Sequence, residues 1–147
     1  MSADFYVDEL TQNDDFKMIA EHFEFGRARF GDKLEDVLRW LVKIGCKGLG
    51  AYEQNTNKLV SWVMTDVDGQ GLIGHTLKDY RQLGLQAWVL MEVVQREYFS
   101  SFDGVGVGYV GVENKNSFKK CLQLGGTPHK KLCANFVVRK CNNSDKL

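Results

Sequence analysis

A glycine-bearing turn at residues 80–86 is the part of the chain most suited to chemistry. Gly84 lies between a strand-like apolar run ending at Leu77 and an apolar helix pattern beginning at Leu85. Such a turn presents unpaired backbone N–H groups beside the positive end of a helix dipole, where a phosphate or pyrophosphate binds. We predict that the backbone of residues 81–86 holds a diphosphate, with Gly84 allowing close approach. An ordinary strand-to-helix turn is the alternative interpretation.

His75 and a group of alternating glycines lie on either side of this turn in the sequence. His75 ends the preceding strand-like run, and the ordinary pKa of histidine suits a general base. A lone histidine on a strand is more often only hydrogen-bonded, so both interpretations stay open. Gly104, Gly106 and Gly108 share one face of a later strand. They leave room for a ligand or for a closely packed helix, and the sequence does not decide between the two.

The composition argues against several classes of protein. Lys plus Arg equals Asp plus Glu, at 19 each, so nothing favours a nucleic-acid or membrane partner. The four cysteines show neither C-x-x-C nor zinc-site spacing, which predicts reduced thiols, no metal and a cytosolic-type compartment. Residues 1–5 contain no apolar or arginine-rich run, so we expect a cytoplasmic protein without a signal or transit peptide.

The patterning predicts one domain of mixed architecture. Helices are predicted at residues 13–23 and 32–44, with a loop at 26–31, and later at residues 85–100 and 116–124. Strands are predicted at residues 5–10, 49–53, 59–66, 70–77, 105–112 and 132–138, with a break at 125–128. This order implies an α/β (α+β) fold with a central mixed, mostly antiparallel sheet flanked by about four helices. We expect the domain to cover residues 1–140 and residues 141–147 to form a flexible tail.

The order of elements, with an Arg-x-x-Gly turn after the fourth strand, resembles the GNAT acetyltransferase fold. The usual GNAT signature is Gln/Arg-x-x-Gly-x-Gly/Ala. Arg81 and Gly84 match it, whereas Gln86 stands where the last small residue is usual.

Within that fold, residues 59–86 are similar to the C-terminal domain of glycine N-acyltransferase. The similarity is carried by Ser61-Trp62, Asp68-Gly69, Thr76-Leu77 and the turn at 80–85, and weaker matches extend it over most of the chain. The separate N-terminal domain of that family has no counterpart in these 147 residues. The chain is therefore expected to be either a single-domain relative or a fragment.

The resemblance implies binding of acetyl-CoA or another acyl-CoA. In GNAT proteins the backbone at the end of the fourth strand pairs with the pantetheine arm, and the following turn holds the diphosphate. An asparagine-containing turn into the next helix completes the site. The implied cofactor-binding residues are His75, Thr76, Leu77, Arg81, Gln82, Leu83, Gly84, Leu85, Gln86, Asn114 and Asn116.

Two positions depart from the catalytic groups of related proteins. Glycine N-acyltransferases use a glutamate eleven residues before the motif arginine, which here is Gln70, a residue that cannot accept a proton. Asp66 is the first carboxylate that would replace it, and Asp68, Glu53 and Glu113 are others. Many GNAT enzymes place a tyrosine acid four residues before the helix-ending glycine, a position held here by Cys121. The catalytic candidates are therefore Gln70, Asp66 and Cys121, with a structural role as the alternative for Cys121.

The resemblance also implies an acceptor, and leaves rival functions open. Arg27 and Arg29 fall in a region that borders the acceptor pocket of GNAT proteins, so they are candidates to bind the carboxylate of an amino acid. Ordinary surface arginines are the alternative. We expect acyl transfer to a small amine such as glycine, by direct attack in a ternary complex. Acetylation of a polyamine, an arylalkylamine or a protein is one rival function, and coenzyme A binding without turnover is the other. A homodimer and a mitochondrial location stay open.

Overall fold

The computed structural model describes residues 4–11, 13–65, 71–98, 105–110, 113–130 and 133–139. Its helices are α1 (Asn13–His22), α2 (Glu24–Phe30), α3 (Leu34–Lys43), α4 (Leu85–Val93) and α5 (Lys115–Gln123). Its strands are β1 (Phe5–Glu9), β2 (Gly48–Glu53), β3 (Lys58–Thr65), β4 (Gly71–Thr76), β5 (Val105–Val110), β6 (Thr127–Lys130) and β7 (Cys133–Arg139). Short 3-10 turns precede α3 and follow β4, and α4 continues as a π-helical turn over Val94–Tyr98.

The described strands form one seven-stranded sheet in the order β1-β2-β3-β4-β5-β7-β6. Every neighbouring pair is antiparallel except β4 and β5, which are parallel. A parallel pair needs a crossover connection, and α4 supplies it between these two strands. The predicted class, a mixed and mostly antiparallel sheet flanked by helices, is confirmed.

Strand β3 lies at the centre of the core. Every residue from Leu59 to Thr65 is buried, which requires helices on both faces of the sheet. Val89 of α4 packs in the same apolar cluster as Ile19 of α1 and Leu38 of α3, and all three are almost fully buried. No helix within the described part of the chain is long and apolar enough to cross a membrane.

Two predicted irregular segments are regular in the structure. The predicted loop at residues 26–31 is wrong, because α2 covers Glu24–Phe30. A Cβ on Gly26 would lie 2.3 Å from the Phe23 ring, so this glycine permits close packing and does not break the helix. The helix ends instead at Gly31, whose φ of 56° lies in the left-handed region.

The predicted break at residues 125–128 is only partly correct. Gly125, with a φ of 83°, ends α5, but the chain enters β6 at Thr127. Pro128 is tolerated in a strand because β6 is the last of the described strands in the sheet, and no described strand pairs with its outer edge. The glycine signals were interpreted correctly at Gly45, which follows α3 with a φ of 108°.

A buried tyrosine joins α1 to the sheet. The Tyr52 hydroxyl of β2 donates to Asp15 Oδ2 at 2.9 Å and lies 3.3 Å from the Glu9 carbonyl oxygen. Burial raises the pKa of Tyr52 well above its usual range, and the charge of Asp15 adds to this effect. The folded protein therefore keeps this phenol protonated at pH values where the unfolded chain ionises.

We predict that Tyr52→Phe lowers the free energy of unfolding by about 1–3 kcal/mol, because it removes a buried hydrogen bond to a charged group. The raised folded-state pKa stabilises the protein fully below pH ~10. That contribution declines as the pH rises above it. The midpoint of thermal unfolding should therefore fall above pH ~10 more steeply in the wild type than in Tyr52→Phe. Circular dichroism measured between pH 7 and 11 checks both effects.

Tyr6→Phe is the matched control. The Tyr6 hydroxyl bonds to Asn57 at an exposed position, and its ring stacks on Tyr52 at 5.3 Å. This variant should lose less stability than Tyr52→Phe. Its midpoint of thermal unfolding should fall at alkaline pH as steeply as that of the wild type. Equal alkaline slopes in Tyr52→Phe and the wild type would contradict the assignment.

Candidate functional site

Strands β4 and β5 part from each other and leave a cavity. They pair at a single register position, Gly71 with Gly108. Beyond that point Gly74, His75 and Thr76 of β4 and Val110 of β5 line a cavity of about 640 Å³. Gly108 therefore lies where the strands meet; Gly104 lies outside the described residues, so the shared glycine face stays a prediction.

The pairing of β4 with β3 leaves the backbone groups of alternate β4 residues directed toward this gap. The Leu77 N–H donates to the Val60 carbonyl oxygen of β3, so odd-numbered residues of β4 direct their backbone groups to β3. Gly74 and Thr76 direct theirs to the opposite side, where no described strand pairs with them. The Thr76 carbonyl oxygen accepts from Arg81 Nε at 3.2 Å. The remaining edge groups of Gly74 and Thr76 face the gap between the strands.

The predicted phosphate-binding turn leads from β4 into α4. Gly84 is the residue before the helix and has a φ of 79°, while Gln82 has a φ of 67°. No described residue accepts a hydrogen bond from the backbone N–H groups of residues 82–87. These are the donors that a helix N-terminus leaves free. Nothing described lies within 4 Å of a Cβ placed on Gly84, so the left-handed φ is what requires glycine there.

The side chain of Gln86 braces β3, β4 and α4. Its Nε2 donates to the Trp62 carbonyl oxygen at 3.2 Å, and its Oε1 accepts from Thr76 Oγ1 at 2.9 Å. Ser61 Oγ lies 2.8 Å from Thr76 Oγ1 and 3.2 Å from the His75 carbonyl oxygen. Gly74 makes room for this side chain, since a Cβ there would lie 2.9 Å from Gln86 Nε2.

An aromatic cluster forms the wall of the cavity on the opposite face of β4. The rings of His75 and His22, the last residue of α1, stack with centroids 5.5 Å apart and 20° between their planes. The Trp62 ring lies 5.1 Å from that of His75. Trp62 Nε1 is buried and has no hydrogen-bond partner among the described residues. Burial lowers the pKa of His75, His22 and Arg81 lower it further, and Glu24 opposes them.

Helix α5 and its capping residue form another wall of the cavity. Asn114 caps it by accepting the Ser117 backbone N–H at 3.1 Å, and it lines the cavity together with Asn116, Ser117, Lys120 and Cys121. Burial raises the pKa of the Cys121 thiol, and the nearby Lys120 ammonium opposes this shift. Cys121 therefore presents a protonated thiol to the cavity at neutral pH.

The other site residues predicted from the sequence are placed as follows. Gln70 and Asp66 lie outside the described residues. Arg27 and Arg29 lie on α2, not in a loop, and neither lines the cavity; the Arg27 Nη1 group donates to the Glu21 carbonyl oxygen at 3.2 Å. Leu77 and Leu85 are buried in the core, and the Leu83 side chain is exposed. These three residues contribute backbone, not side chains, to the turn region.

Among the lining residues that sequence reasoning missed are His22, Lys120 and Trp62, whose ring faces His75. His22 had no recognisable pattern, because only the packing of α1 against β4 brings it to His75. Lys120 could have been found from the sequence, because it is the residue before the candidate Cys121 on the helix that Asn114 caps.

Comparisons with known proteins identify the fold. No protein-family model matches the sequence, and no curated protein is significantly similar to it. Among solved structures, a putative GNAT-family acetyltransferase from Desulfovibrio desulfuricans superimposes with a TM-score of 0.68 at 13% identity, covering 92% of this chain and 98% of that one. The PaiA N-acetyltransferase from Thermoplasma acidophilum, solved in complex with coenzyme A, gives 0.65 at 14% identity, covering 97% and 100%.

A larger protein contains the same fold. A Drosophila structural-genomics protein superimposes with a TM-score of 0.74 at 17% identity over 95% of this chain. The chain spans only 44% of that protein. At these identities the likeness concerns the fold alone, and it confirms the GNAT fold expected from the sequence. The closer similarity to glycine N-acyltransferase stays a prediction.

Proposed function

We propose that this protein is an acyl-CoA-dependent N-acyltransferase that acylates a small amine, with glycine or another amino acid as the acceptor. One observation carries the proposal: the cavity between β4 and β5 is lined by Arg81 and Gln86, which belong to the turn whose backbone N–H groups are left free at the start of α4. A diphosphate requires such a row, and an acyl-bearing arm requires an adjacent groove. The acetyltransferase descriptions of structures with the same fold support the reaction class.

Residues along this path fit the parts of an acyl-CoA. The N–H groups of residues 82–87 would hold the diphosphate at the positive end of α4. The unpaired edge of Gly74 and Thr76 would pair with the amide groups of the pantetheine arm, as an added strand does. Arg81 and Lys120 supply positive charge at the cavity wall. Its volume of about 640 Å³ lies within the range of small-molecule sites.

The proposed reaction is direct attack of an amine on the thioester. Binding both reactants in one cavity supplies most of the rate enhancement by proximity and orientation. Backbone donors of β4 would polarise the thioester carbonyl. The protonated thiol of Cys121 suits a proton donor to the departing sulfur, although a thiolate also leaves without help.

The resemblance to glycine N-acyltransferase supports an amino-acid acceptor. The carboxylate of such an acceptor needs a cation, and of the arginines proposed from the sequence neither reaches the cavity. Lys120 and Arg81 both line it, and Lys120 is the better-placed partner because Arg81 already donates to the Thr76 carbonyl oxygen.

A second candidate function is coenzyme A binding without turnover. Gln70 favours it, because the resemblance places a glutamate base at that position and a glutamine amide accepts no proton. This function would use the same turn and cavity, so binding measurements alone do not separate the two.

A thiol-release assay tests the proposed reaction. Acetyl-CoA and benzoyl-CoA are each combined with glycine, other amino acids, spermidine, an arylalkylamine and a lysine peptide. We expect release of free coenzyme A with an amino-acid acceptor, together with a mass-verified amide product. Tight binding of coenzyme A with no thiol released from any pair would instead establish the second candidate. A preference for spermidine or the peptide would contradict the amino-acid acceptor.

Gln86→Glu tests the position of the diphosphate. A glutamate loses the donor to the Trp62 carbonyl oxygen and places a negative charge in the first turn of α4. We expect stability to fall by about 1–3 kcal/mol, and coenzyme A affinity to fall about tenfold or more through repulsion. Calorimetric titration at two salt concentrations and thermal unfolding measure the two effects.

Gln86→Met is the control for that experiment, because it removes the same hydrogen bonds without adding charge. It should lose similar stability and much less affinity, and its affinity should depend on salt as the wild type's does. Unchanged affinity in Gln86→Glu would show that the diphosphate does not lie at this turn.

Gln70→Glu tests the second candidate function. If the wild type binds coenzyme A without turnover because a carboxylate is missing, this variant should release thiol measurably. The assay is the same acceptor panel, with Gln70→Met as the matched control that restores no carboxylate. An inactive Gln70→Glu would show that the absence of turnover has another cause.

A further inference from the structure

The wall formed by His22, His75 and Trp62 has properties that cofactor binding does not explain. It lies on the face of β4 opposite the Gln86 network, since neighbouring residues of a strand point to opposite faces. Thr76 and Gly74 face α4, whereas His75 faces α1. Residues from both faces of β4 line the cavity. A second reactant therefore has its own wall, separate from the turn that would hold the diphosphate.

Both imidazoles on this wall have unused ring nitrogens. Neither His22 nor His75 makes a side-chain hydrogen bond to a described residue, and both line the cavity. The buried Trp62 N–H beside them has no acceptor among the described residues. An unsatisfied buried donor is costly, so a ligand oxygen or an ordered water is expected to approach this cluster.

We propose that His75 accepts the proton of the acceptor ammonium group, and that His22, stacked on it, positions its ring. This inference rests on the proposed acyltransferase function and identifies the group that replaces the glutamate of the related family. No carboxylate is then needed at position 70. The substrate class that fits this wall is a primary amine that arrives protonated at neutral pH.

The proton balance of the step is complete without a further reactant. The ammonium transfers one proton to the neutral His75 imidazole and becomes a free amine. The amine lone pair forms the N–C bond to the thioester carbonyl carbon, and the C–S bond breaks with its electron pair on sulfur. The nitrogen then loses its second proton and the thiolate sulfur gains one, either directly or through the Cys121 thiol, so that coenzyme A leaves as a thiol. The imidazolium then releases its proton to water.

The charges around His75 favour its neutral form in the resting protein. Burial lowers the pKa of His75 below the usual 6.5; His22 from α1 and Arg81 after β4 act in the same direction, and Glu24 from α2 opposes them. Lys120 and Cys121 of α5 line the same cavity. The imidazole is therefore unprotonated at pH 7, and activity should decline only as the pH falls below ~6.5.

His75→Gln is the direct test, measured with acetyl-CoA and glycine. We expect kcat to fall about 10²–10⁴-fold, and the acid limb of the pH profile to disappear. The loss should be far smaller with methoxyamine, an acceptor that is already unprotonated at neutral pH. Coenzyme A affinity should change little, because the ring lies on the other face of β4. Added imidazole should restore part of the rate in His75→Ala.

His22→Phe separates positioning from proton transfer. It keeps an aromatic ring for stacking but removes the second imidazole. We expect a smaller loss of kcat and an acid limb shifted to higher pH, because His22 no longer lowers the pKa of His75. A purely structural role would lower stability without moving the pH profile.

Two outcomes separate failure of this inference from failure of the proposed function. Wild-type turnover with an unchanged rate and pH profile in His75→Gln overturns the inference and leaves the function intact. If the wild type shows no turnover, NMR of the imidazoles decides, with His129→Gln used to assign the third histidine. His22 and His75 signals that move when glycine is added to the complex with a methylene analogue of acetyl-CoA support the acceptor wall. Unmoved signals overturn it.

Discussion

The geometry of the site depends on one constraint in the sheet. Strands β4 and β5 run parallel, but their described residues pair at only one position, Gly71 with Gly108. Backbone polar groups in a protein interior need partners. No described strand pairs with the edge of β4 at Gly74 and Thr76. Arg81 donates a hydrogen bond to the Thr76 carbonyl oxygen, which is the one polar group of this edge that it satisfies. The rest of the edge requires water or a bound molecule. The cavity thus follows from the sheet topology, and the side chains around it decide what it accepts.

Gln86 illustrates how a departure from the usual motif is accommodated. The resemblance places a small residue there, and a long side chain in that position would collide with β4 if β4 carried a side chain opposite it. Glycine at position 74 removes this collision, and the amide then bonds to Thr76 and to the Trp62 carbonyl oxygen. The backbone N–H row of the turn is unaffected. Glutamine in place of the usual small residue therefore adds side-chain hydrogen bonds between the turn and the sheet, and it leaves the backbone N–H donors of the turn in place.

The sequence predicted the parts of the fold that depend on local patterns. The strand–turn–helix at Gly84, the helix end at Gly45 and the mixed sheet all follow from periodicity and from glycine conformations. Gly26 was misinterpreted because its small size serves packing against the Phe23 ring and against Leu34 of α3, and the approach of α3 is not visible in the sequence. The turn that leads from β4 into α4 was predictable for the same local reason. The His22–His75 stack was not, because it joins residues 53 positions apart through helix packing.

In the proposed reaction, with acyl-CoA bound, an imidazole has an electrostatic advantage over a carboxylate as the proton acceptor. A bound acyl-CoA brings phosphate charges to α4, and the departing sulfur becomes anionic as the C–S bond breaks. A carboxylate base would begin with the same sign of charge and become neutral as the proton arrives. An imidazole begins neutral and is already cationic when the sulfur becomes anionic, so the two charges attract each other inside a partly buried cavity, where such attraction is stronger than in water. Burial, followed by His22 and Arg81, favours neutral His75 before the reaction and opposes this positive charge, whereas Glu24 favours it. In the proposed reaction, Glu24 in the first turn of α2 would therefore stabilise the imidazolium of His75.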